Sequence, residues 1–398
     1  MAKKSSQEPE PTRESKSEEQ SAPAEHLWAE ELAFLRAWDE SPKPPGWLLS
    51  PRAVVTFVMG SREEKLSLPK TAKTDGARTL TITEKFVGDR AIVERSVVTL
   101  AGERGLLLVG EPGTAKSMLS ELFSAAVCGT SALTVQGTAG TTEDQLRYGW
   151  NYAVLLAKGP SREAMVPSPI LTAMRRGNIA RVEEVTRCLP EVQDALVSIL
   201  SDRRIAVPEL ADVGEGAHVE PARPGFNLIA TANLRDRGVS EMSAALKRRF
   251  NFETVPPITE LAREVQLVKR QATTLLARTG APMKIDDAVI EALVTAFRDL
   301  RAGRSHEGWA IEKPSTVMST AEAVGVASAI GLQTAYFESD RDPLTLVPGY
   351  LLGVVLKDDP KDRARLLSYW DSAVKRRAEN KQRVWQQLLD LRTVLEEV

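Results

Sequence analysis

One short segment of the chain has the spacing of a phosphate-binding loop, G-x-x-x-x-G-K-S/T, with alanine in place of the second glycine. In such a loop, backbone N–H groups and the dipole of the following helix favour phosphate, the lysine contacts the β- and γ-phosphates, and the serine hydroxyl binds Mg²⁺. The pattern therefore predicts a nucleotide site with Lys116 on the phosphates and Ser117 on Mg²⁺. The segment consists of Gly110, Glu111, Pro112, Gly113, Thr114, Ala115, Lys116 and Ser117.

The residues around this loop predict a strand before it and a helix after it. Residues 106–109 are an apolar run between glycines, and residues 118–123 have apolar side chains at helical spacing. Ala115 adds one methyl group where the loop enters the helix, which the backbone tolerates if φ is negative there. On these residues alone, a strand–turn–helix connection without a ligand remains the alternative.

Two adjacent acids, Glu183 and Glu184, follow the predicted strand 178–182. A nucleotide-hydrolysing enzyme needs a carboxylate near the loop to hold Mg²⁺ through water, and a second one to orient the attacking water. Acids at the end of a neighbouring strand meet both needs. The usual first residue is Asp, so Glu183 places its carboxylate one methylene further out. The alternative is a pair of surface glutamates at the start of a helix.

Three further polar residues, Asn233, Arg248 and Arg249, are candidates for the nucleotide site. Asn233 ends the predicted strand 226–232, where it would face the γ-phosphate, although a plain turn residue is the alternative. Arg248 and Arg249 end a short helical segment, where cations commonly interact with the helix dipole.

The arrangement of apolar segments predicts an α/β fold. Strand candidates at 106–109, 132–137, 178–182, 226–232 and 252–255 alternate with helical stretches, which is typical of a parallel five-stranded sheet covered on both faces. After Pro256-Pro257 only helical patterns follow, so we expect an all-helical second domain. The predicted domains are a disordered tail at 1–24, a small helical region at 25–83, a nucleotide-binding core at 84–256, a helical lid at 257–358 and a C-terminal helix at 359–398.

Composition narrows the class of protein. Two cysteines, Cys128 and Cys188, exclude a disulfide framework and fit a cytoplasmic location, and three scattered histidines have no zinc spacing. The net charge of −2 gives no electrostatic case for nucleic acid. The basic cluster at 375–383 is interpreted as a solvated helix face beside one packed apolar stripe. The apolar segment 321–337 contains Glu322 and is too short to span a membrane.

Taken together, four segments resemble the AAA+ ATPases, and among them the MoxR-type branch. They are GEPGTAKS at 110–117, VEEVTRCLPEVQDALVSIL at 182–200, FNLIATAN at 226–233 and MSAALKRRFNFE at 242–253. The resemblance covers about 84–340, and MoxR-type proteins often have alanine at the last glycine position of the loop. It implies a working ATP and Mg²⁺ site with an acid on the Mg²⁺ side, a catalytic base, a sensor 1 residue and an arginine finger that acts on the neighbouring subunit. These are Glu183, Glu184, Asn233 and Arg249 respectively, with Arg248 as the rival finger.

The resemblance also implies a function. MoxR-type relatives are chaperone-like ATPases that form homo-oligomers, commonly hexameric rings, and often act with proteins that contain von Willebrand factor A domains. We therefore expect ATP hydrolysis coupled to the remodelling or assembly of a protein partner, and a hairpin insertion at 204–226.

The chain departs from the family pattern at three points. Glu183 replaces Asp, Arg181 lies in a strand that should be buried, and only Arg304 and Lys313 are available as sensor 2 between 302 and 330. Glu183 and the lack of a clear sensor 2 residue favour a second hypothesis, a nucleotide-controlled binding scaffold with little or no turnover. A nucleic-acid-associated motor is a third hypothesis, which the near-neutral charge disfavours.

Overall fold

A computed structural model describes residues 22–72, 76–210, 218–233, 240–280, 286–337, 342–380 and 382–396. Residues 1–21 of the predicted disordered tail lie outside these ranges. The N-terminal helices pack their apolar faces on the core, in one buried cluster that contains Leu35, Phe57 and Phe123. This first part of the chain consists of helices α1 Ala24–Leu27, α2 Ala29–Trp38 and α3 Pro51–Met59 and of strands β1 Leu66–Ser67 and β2 Thr79–Leu80.

The middle of the chain alternates strands and helices, as the apolar segments predict. Each of the five predicted strand segments forms a strand of one sheet. The elements in chain order are α4 Arg90–Ala101, β3 Gly105–Val109, α5 Lys116–Cys128, β4 Thr134–Gln136, α6 Glu143–Leu146, β5 Tyr148–Trp150, α7 Tyr152–Lys158, β6 Met165–Pro167, α8 Pro169–Arg176, β7 Ile179–Glu183, α9 Pro190–Asp202, β8 Arg204–Val207, β9 His218–Pro221, β10 Asn227–Ala232, α10 Ala244–Lys247 and β11 Phe250–Thr254, with 3₁₀ turns at Val185–Arg187 and Pro208–Leu210.

The five-stranded sheet has the order β11-β3-β10-β7-β4, and all its pairs are parallel. Helices cover both of its faces. Leu106 and Leu108 of β3 belong to one buried cluster, and Leu107 and Val109 to the other, because successive side chains of a strand point to opposite faces. The predicted parallel α/β fold is confirmed. Since all strands run the same way, the residues that follow their carboxyl ends lie at one edge of the sheet.

Two hairpins project from this core. Strands β8 and β9 pair antiparallel, which confirms a hairpin within 204–226, although residues 211–217 lie outside the described chain. Strands β5 and β6 form a second antiparallel hairpin that the sequence analysis did not predict. Both of its strands have only three residues, so no alternation was long enough to read.

The last part of the chain is helical, as expected. Its helices share one buried cluster, which extends from Val268 to Leu395. Within the described ranges, none of the protein's helices is long and apolar enough to cross a membrane. The helices are α11 Leu261–Arg278, α12 Asp287–Ala302, α13 Thr320–Tyr336, α14 Val347–Val355, α15 Asp362–Tyr369, α16 Lys375–Glu379 and α17 Arg383–Asp390, with 3₁₀ turns at Pro343–Leu346 and Arg392–Leu395 and a π-helical segment at Trp370–Val374.

The prediction of a single helix over 359–398 is wrong. The helical run from α15 ends at α16, and α17 then packs back on it, with the Trp370 indole donating to the Leu388 carbonyl oxygen at 2.8 Å. This fold-back lets the apolar stripe bury both Trp370 and Leu388. The predicted solvated basic face also needs one correction, because Arg377 is only 2% exposed and pairs with Asp299 and Glu307.

Candidate functional site

The predicted phosphate-binding loop connects the carboxyl end of β3 to the first turn of α5. Lys116 is the first residue of that helix, and its ammonium group donates to the carbonyl oxygens of Gly110 at 3.0 Å and Glu111 at 2.8 Å. Burial lowers the pKa of Lys116 below its ordinary value, and the nearby carboxylates, Glu184 first, oppose that shift. Two hydrogen bonds therefore hold the ammonium group of Lys116 against the backbone of the loop.

Ala115 does not have the negative φ that would make its methyl group harmless. Its φ is +67°, in the left-handed region that glycine adopts without strain. Ala115 is the residue before the first helical residue of α5, so the loop enters the helix through this left-handed conformation. Gly113 also has positive φ, and a Cβ atom there would come within 2.5 Å of the Ser319 Cβ atom, so the helical domain packs directly on the loop.

Ala115→Gly is expected to raise the free energy of unfolding by about 1 kcal/mol, because glycine removes the steric conflict of a left-handed alanine. Urea denaturation measures the change. The matched control is Ala195→Gly in the interior of α9, which should lower stability by about the same amount. A lower urea midpoint for Ala115→Gly would contradict the left-handed conformation.

Glu183 is the last residue of β7, and both of its carboxylate oxygens are hydrogen-bonded. Oε2 accepts from the hydroxyls of Ser117 and Thr231, each at 2.7 Å. Oε1 accepts from the Ser120 hydroxyl at 2.6 Å and from the Arg181 guanidinium at 2.8 Å. Burial alone would raise the pKa of Glu183, but these hydrogen bonds and the charge of Arg181 hold it below the ordinary value. The residue is therefore an ionised carboxylate in direct contact with the loop serine.

The pair formed by Ser117 and Glu183 fits Mg²⁺. A hydroxyl and an ionised carboxylate lie 2.7 Å apart, and hard oxygen donors are the ligands that this ion takes in proteins. The structure thus brings together the two residues that the sequence analysis assigned to the metal.

Glu184 is oriented differently from its neighbour. Its φ is +54°, a left-handed conformation that is uncommon outside glycine and concentrated at functional sites. Its backbone N–H donates to the Thr231 hydroxyl at 3.0 Å. Its Oε2 atom is buried and has no hydrogen-bond partner in the described part of the chain, with the Arg187 Nε atom 3.6 Å away. Glu183 is therefore saturated with hydrogen-bond donors, whereas Oε2 of Glu184 accepts no hydrogen bond from the described residues and is ion-paired with Arg187.

A cavity of about 320 Å³ lies over the loop and reaches Glu184. Lys116 and Ser117 form its floor, and apolar and polar side chains from four other parts of the chain close its sides. These side walls are not evident from the sequence, because their residues form no motif. They are Lys85–Val87 before α4, Pro256–Ile258 after β11, Leu267 and Gln271 on α11, and Thr320 and Ala321 at the start of α13.

Neither candidate for sensor 2 lies in this cavity. Arg304 lines a separate cleft together with Glu111, and Lys313 is exposed to solvent. The helical domain instead presents Thr320 and Ala321 to the loop. Among the described residues of the helical domain, none that lines the cavity is an arginine.

Asn233 lies at the same edge of the sheet as the loop. Ala232 pairs with Val109, so Asn233 follows its strand at the level where Gly110 follows β3. The side chain is buried, and residues 234–239 beyond it lie outside the described ranges. Asn233 thus follows the carboxyl end of β10 as predicted, but it is not among the residues that line the cavity over the loop.

Arg248 and Arg249 lie at the opposite edge of the sheet. The Arg249 carbonyl oxygen accepts from the N–H of Gly105, the first residue of β3. An extended strand rises about 3.3 Å per residue, so roughly 16 Å separates Gly105 from Gly110. The Arg249 guanidinium donates to Ser201 and to the Ala245 carbonyl oxygen, and Arg248 is exposed. Neither arginine is brought to the loop of its own chain.

Sequence comparisons identify the family. The AAA domain of the dynein-related subfamily matches residues 105–250, and the YehL-like AAA+ ATPase C-terminal domain matches residues 262–396. The uncharacterized protein YehL of Escherichia coli strain K12 is 49% identical over 369 residues, which cover 92% of this chain and 95% of YehL. The chain therefore belongs to the AAA+ ATPase family, in its YehL-like group.

The chain is also similar to a more distant relative and to a solved structure. An uncharacterized protein of Staphylococcus haemolyticus is 27% identical over 242 residues, which cover 61% of this chain and 84% of that protein. The crystal structure of NtrX from Brucella abortus in complex with ATP covers 79% of this chain and 69% of NtrX, with a TM-score of 0.45 and 14% identity. The family assignment rests on the sequence matches.

Proposed function

We propose that this protein binds ATP with Mg²⁺ and hydrolyses it. The proposal rests on the different contacts of the two adjacent acids, Glu183 and Glu184. Glu183 bonds to the loop serine Ser117, whereas Glu184 lines the cavity and its Oε2 atom accepts no hydrogen bond from the described residues. A hydrolytic site needs both an anchored carboxylate for the metal and a free one for water.

In this proposal each residue has one task. Lys116 and the backbone of 110–117 bind the phosphates, and Ser117 and Glu183 hold Mg²⁺, which neutralises phosphate charge when bound. Glu184 accepts the proton of the attacking water, because it lines the cavity and its Oε2 atom accepts no hydrogen bond from the described residues. Asn233 orients that water from the end of β10.

We further propose that hydrolysis occurs between subunits of a homo-oligomeric ring, as in MoxR-type hexamers. Arg249 lies about 16 Å along β3 from its own loop, so it serves as a finger only for a neighbouring subunit's ATP. Such a ring would remodel or assemble a protein partner, and a client with a von Willebrand factor A domain is the first to test. A cytoplasmic location agrees with the two unpaired thiols, Cys128 and Cys188.

Steady-state ATPase measurements on the purified protein test this function directly, and Lys116→Ala tests the site. We expect the variant to bind ATP about 100-fold more weakly, because it loses a charged hydrogen-bond donor to the phosphates. Equilibrium binding of a fluorescent ATP analogue measures the effect. Lys158→Ala is the control, since Lys158 is an exposed lysine that pairs with Glu163 on the hairpin. Wild-type affinity in Lys116→Ala would exclude this loop as the nucleotide site.

One observation favours a nucleotide-controlled scaffold as the second candidate. The described residues of the helical domain bring no arginine to the cavity, so one cation that could stabilise the transition state is missing there. A scaffold would bind ATP with the same residues and show no turnover at any protein concentration. Single-turnover assays at high protein concentration separate the two functions.

A further inference from the structure

Strand β7 carries a buried charged pair inside the sheet. Arg181 is 8% exposed and Glu183 is 5% exposed, and they lie two residues apart on the same face of the strand. A buried arginine is rarely found without partners, because the desolvation of its charge has to be offset. The contacts of this side chain therefore indicate its role.

The described hydrogen bonds of the Arg181 guanidinium connect its strand to the loop helix α5. Their acceptors lie on α5, in the segment that follows α5, and on Glu183 of the same strand. Nε donates to the Ser120 hydroxyl at 2.9 Å, and Nη1 donates to the Ser131 carbonyl oxygen at 3.0 Å. Nη2 donates to the Ser117 carbonyl oxygen at 3.2 Å and to Glu183 Oε1 at 2.8 Å. The guanidinium thus fixes one oxygen of Glu183 and the backbone of Ser117 at the same time.

The length of Glu183 explains why such a restraint matters. A glutamate has one more rotatable bond than an aspartate, so its carboxylate can adopt more positions. Arg181 and Ser120 bind Oε1, and this leaves Oε2 beside the Ser117 and Thr231 hydroxyls. The two departures from the family pattern, at 181 and 183, are therefore in direct contact.

We infer that Arg181 is a positioning residue, which holds the longer side chain of Glu183 so that Oε2 faces the Mg²⁺ position beside Ser117. The inference rests on the proposed function, in which Ser117 and Glu183 hold Mg²⁺. It implies that residues 181 and 183 act as a unit, so that the effect of removing the charge of Arg181 depends on which acid stands at 183.

The test measures how Mg²⁺ tightens the binding of a fluorescent ATP analogue. In Arg181→Met, the Mg²⁺ concentration for half-maximal tightening should rise about 10-fold or more, because Glu183 loses its charged donor. Binding in excess EDTA should remain within about twofold of wild type, since the phosphate contacts of Lys116 are untouched. An unchanged Mg²⁺ requirement in folded Arg181→Met would overturn the inference.

A double-mutant cycle distinguishes positioning from a purely structural role. Glu183→Asp alone should also raise the Mg²⁺ requirement, because the shorter carboxylate cannot reach both Arg181 and Ser117. Arg181→Met with Glu183→Asp should recover at least part of the wild-type Mg²⁺ dependence, since the freed aspartate can bond to Ser117 and Thr231. Additive losses in the double variant would show that Arg181 only braces α5 against the sheet.

Two milder variants keep the test decisive if Arg181→Met does not fold. Arg181→Lys keeps the charge beside Glu183 and should retain most of the Mg²⁺ dependence, whereas Arg181→Gln keeps a hydrogen bond without the charge and should lose it. Equal behaviour of the two variants would overturn the inference. If wild type itself binds no ATP analogue, it is the proposed function that fails.

Discussion

Arg249→Ala is expected to bind ATP with unchanged affinity and to hydrolyse it about 10³- to 10⁵-fold more slowly, the range found for arginine fingers. The guanidinium would stabilise charge on the γ-phosphate of a neighbouring subunit, because its own loop lies at the other edge of the sheet. Steady-state ATPase assays at saturating ATP measure the loss. Arg104→Ala is the matched control, since Arg104 is an exposed arginine at the same edge that contacts Asn251.

Two further measurements decide whether the finger acts between subunits. Activity per subunit of the wild type should rise with protein concentration as rings assemble, and mixing Arg249→Ala with Glu184→Gln should restore part of the activity. In a mixed interface, an intact Arg249 faces an intact Glu184. A monomer that is fully active at high dilution would exclude this mechanism. A loss in Arg248→Ala with none in Arg249→Ala would instead assign the finger to Arg248.

Glu184→Gln should keep ATP binding and slow hydrolysis about 10²- to 10⁴-fold, the usual contribution of a general base. The amide has nearly the same shape as the carboxylate, so the phosphate contacts of Lys116 and the Ser117–Glu183 pair stay in place. The measurement is the nucleotide retained after incubation with ATP, which should be mostly ATP in the variant and ADP in the wild type.

The matched control is Glu191→Gln, which changes an exposed glutamate at the start of α9. It should leave turnover and nucleotide content unchanged. Normal turnover in Glu184→Gln would move the role of base to another residue of the cavity. That outcome would also remove the support for the proposed function, because the position of Glu184 at the cavity would then have no role in hydrolysis.

The fold was largely predictable because its signals are local. Each buried strand is a short apolar run, and each long helix has apolar residues at helical spacing, so neighbouring residues suffice to identify them. The β5–β6 hairpin escaped because three residues are too few to show a period. The single helix at 359–398 was wrong because a continuous apolar stripe does not show that α17 turns back to cover Trp370.

The candidate site was predictable in its residue types and in its position along the chain. The loop spacing and the paired acids after a strand follow from the chemistry of phosphate and Mg²⁺, and the structure brings Lys116, Ser117, Glu183 and Glu184 to one edge of the sheet. The walls of the cavity were missed, since residues such as Leu267 and Gln271 contribute shape rather than a recognisable group.

The sequence by itself determined which segments form the sheet and which residues could bind a nucleotide, because both depend on residue types at short spacing. Only the tertiary structure decided the strand order, the left-handed backbone of Ala115 and the pairing of Arg181 with Glu183. Arg181 also bonds to Ser120, 61 residues earlier in the chain. Such contacts form when distant elements pack together, and no local pattern specifies which partner a buried charge will meet.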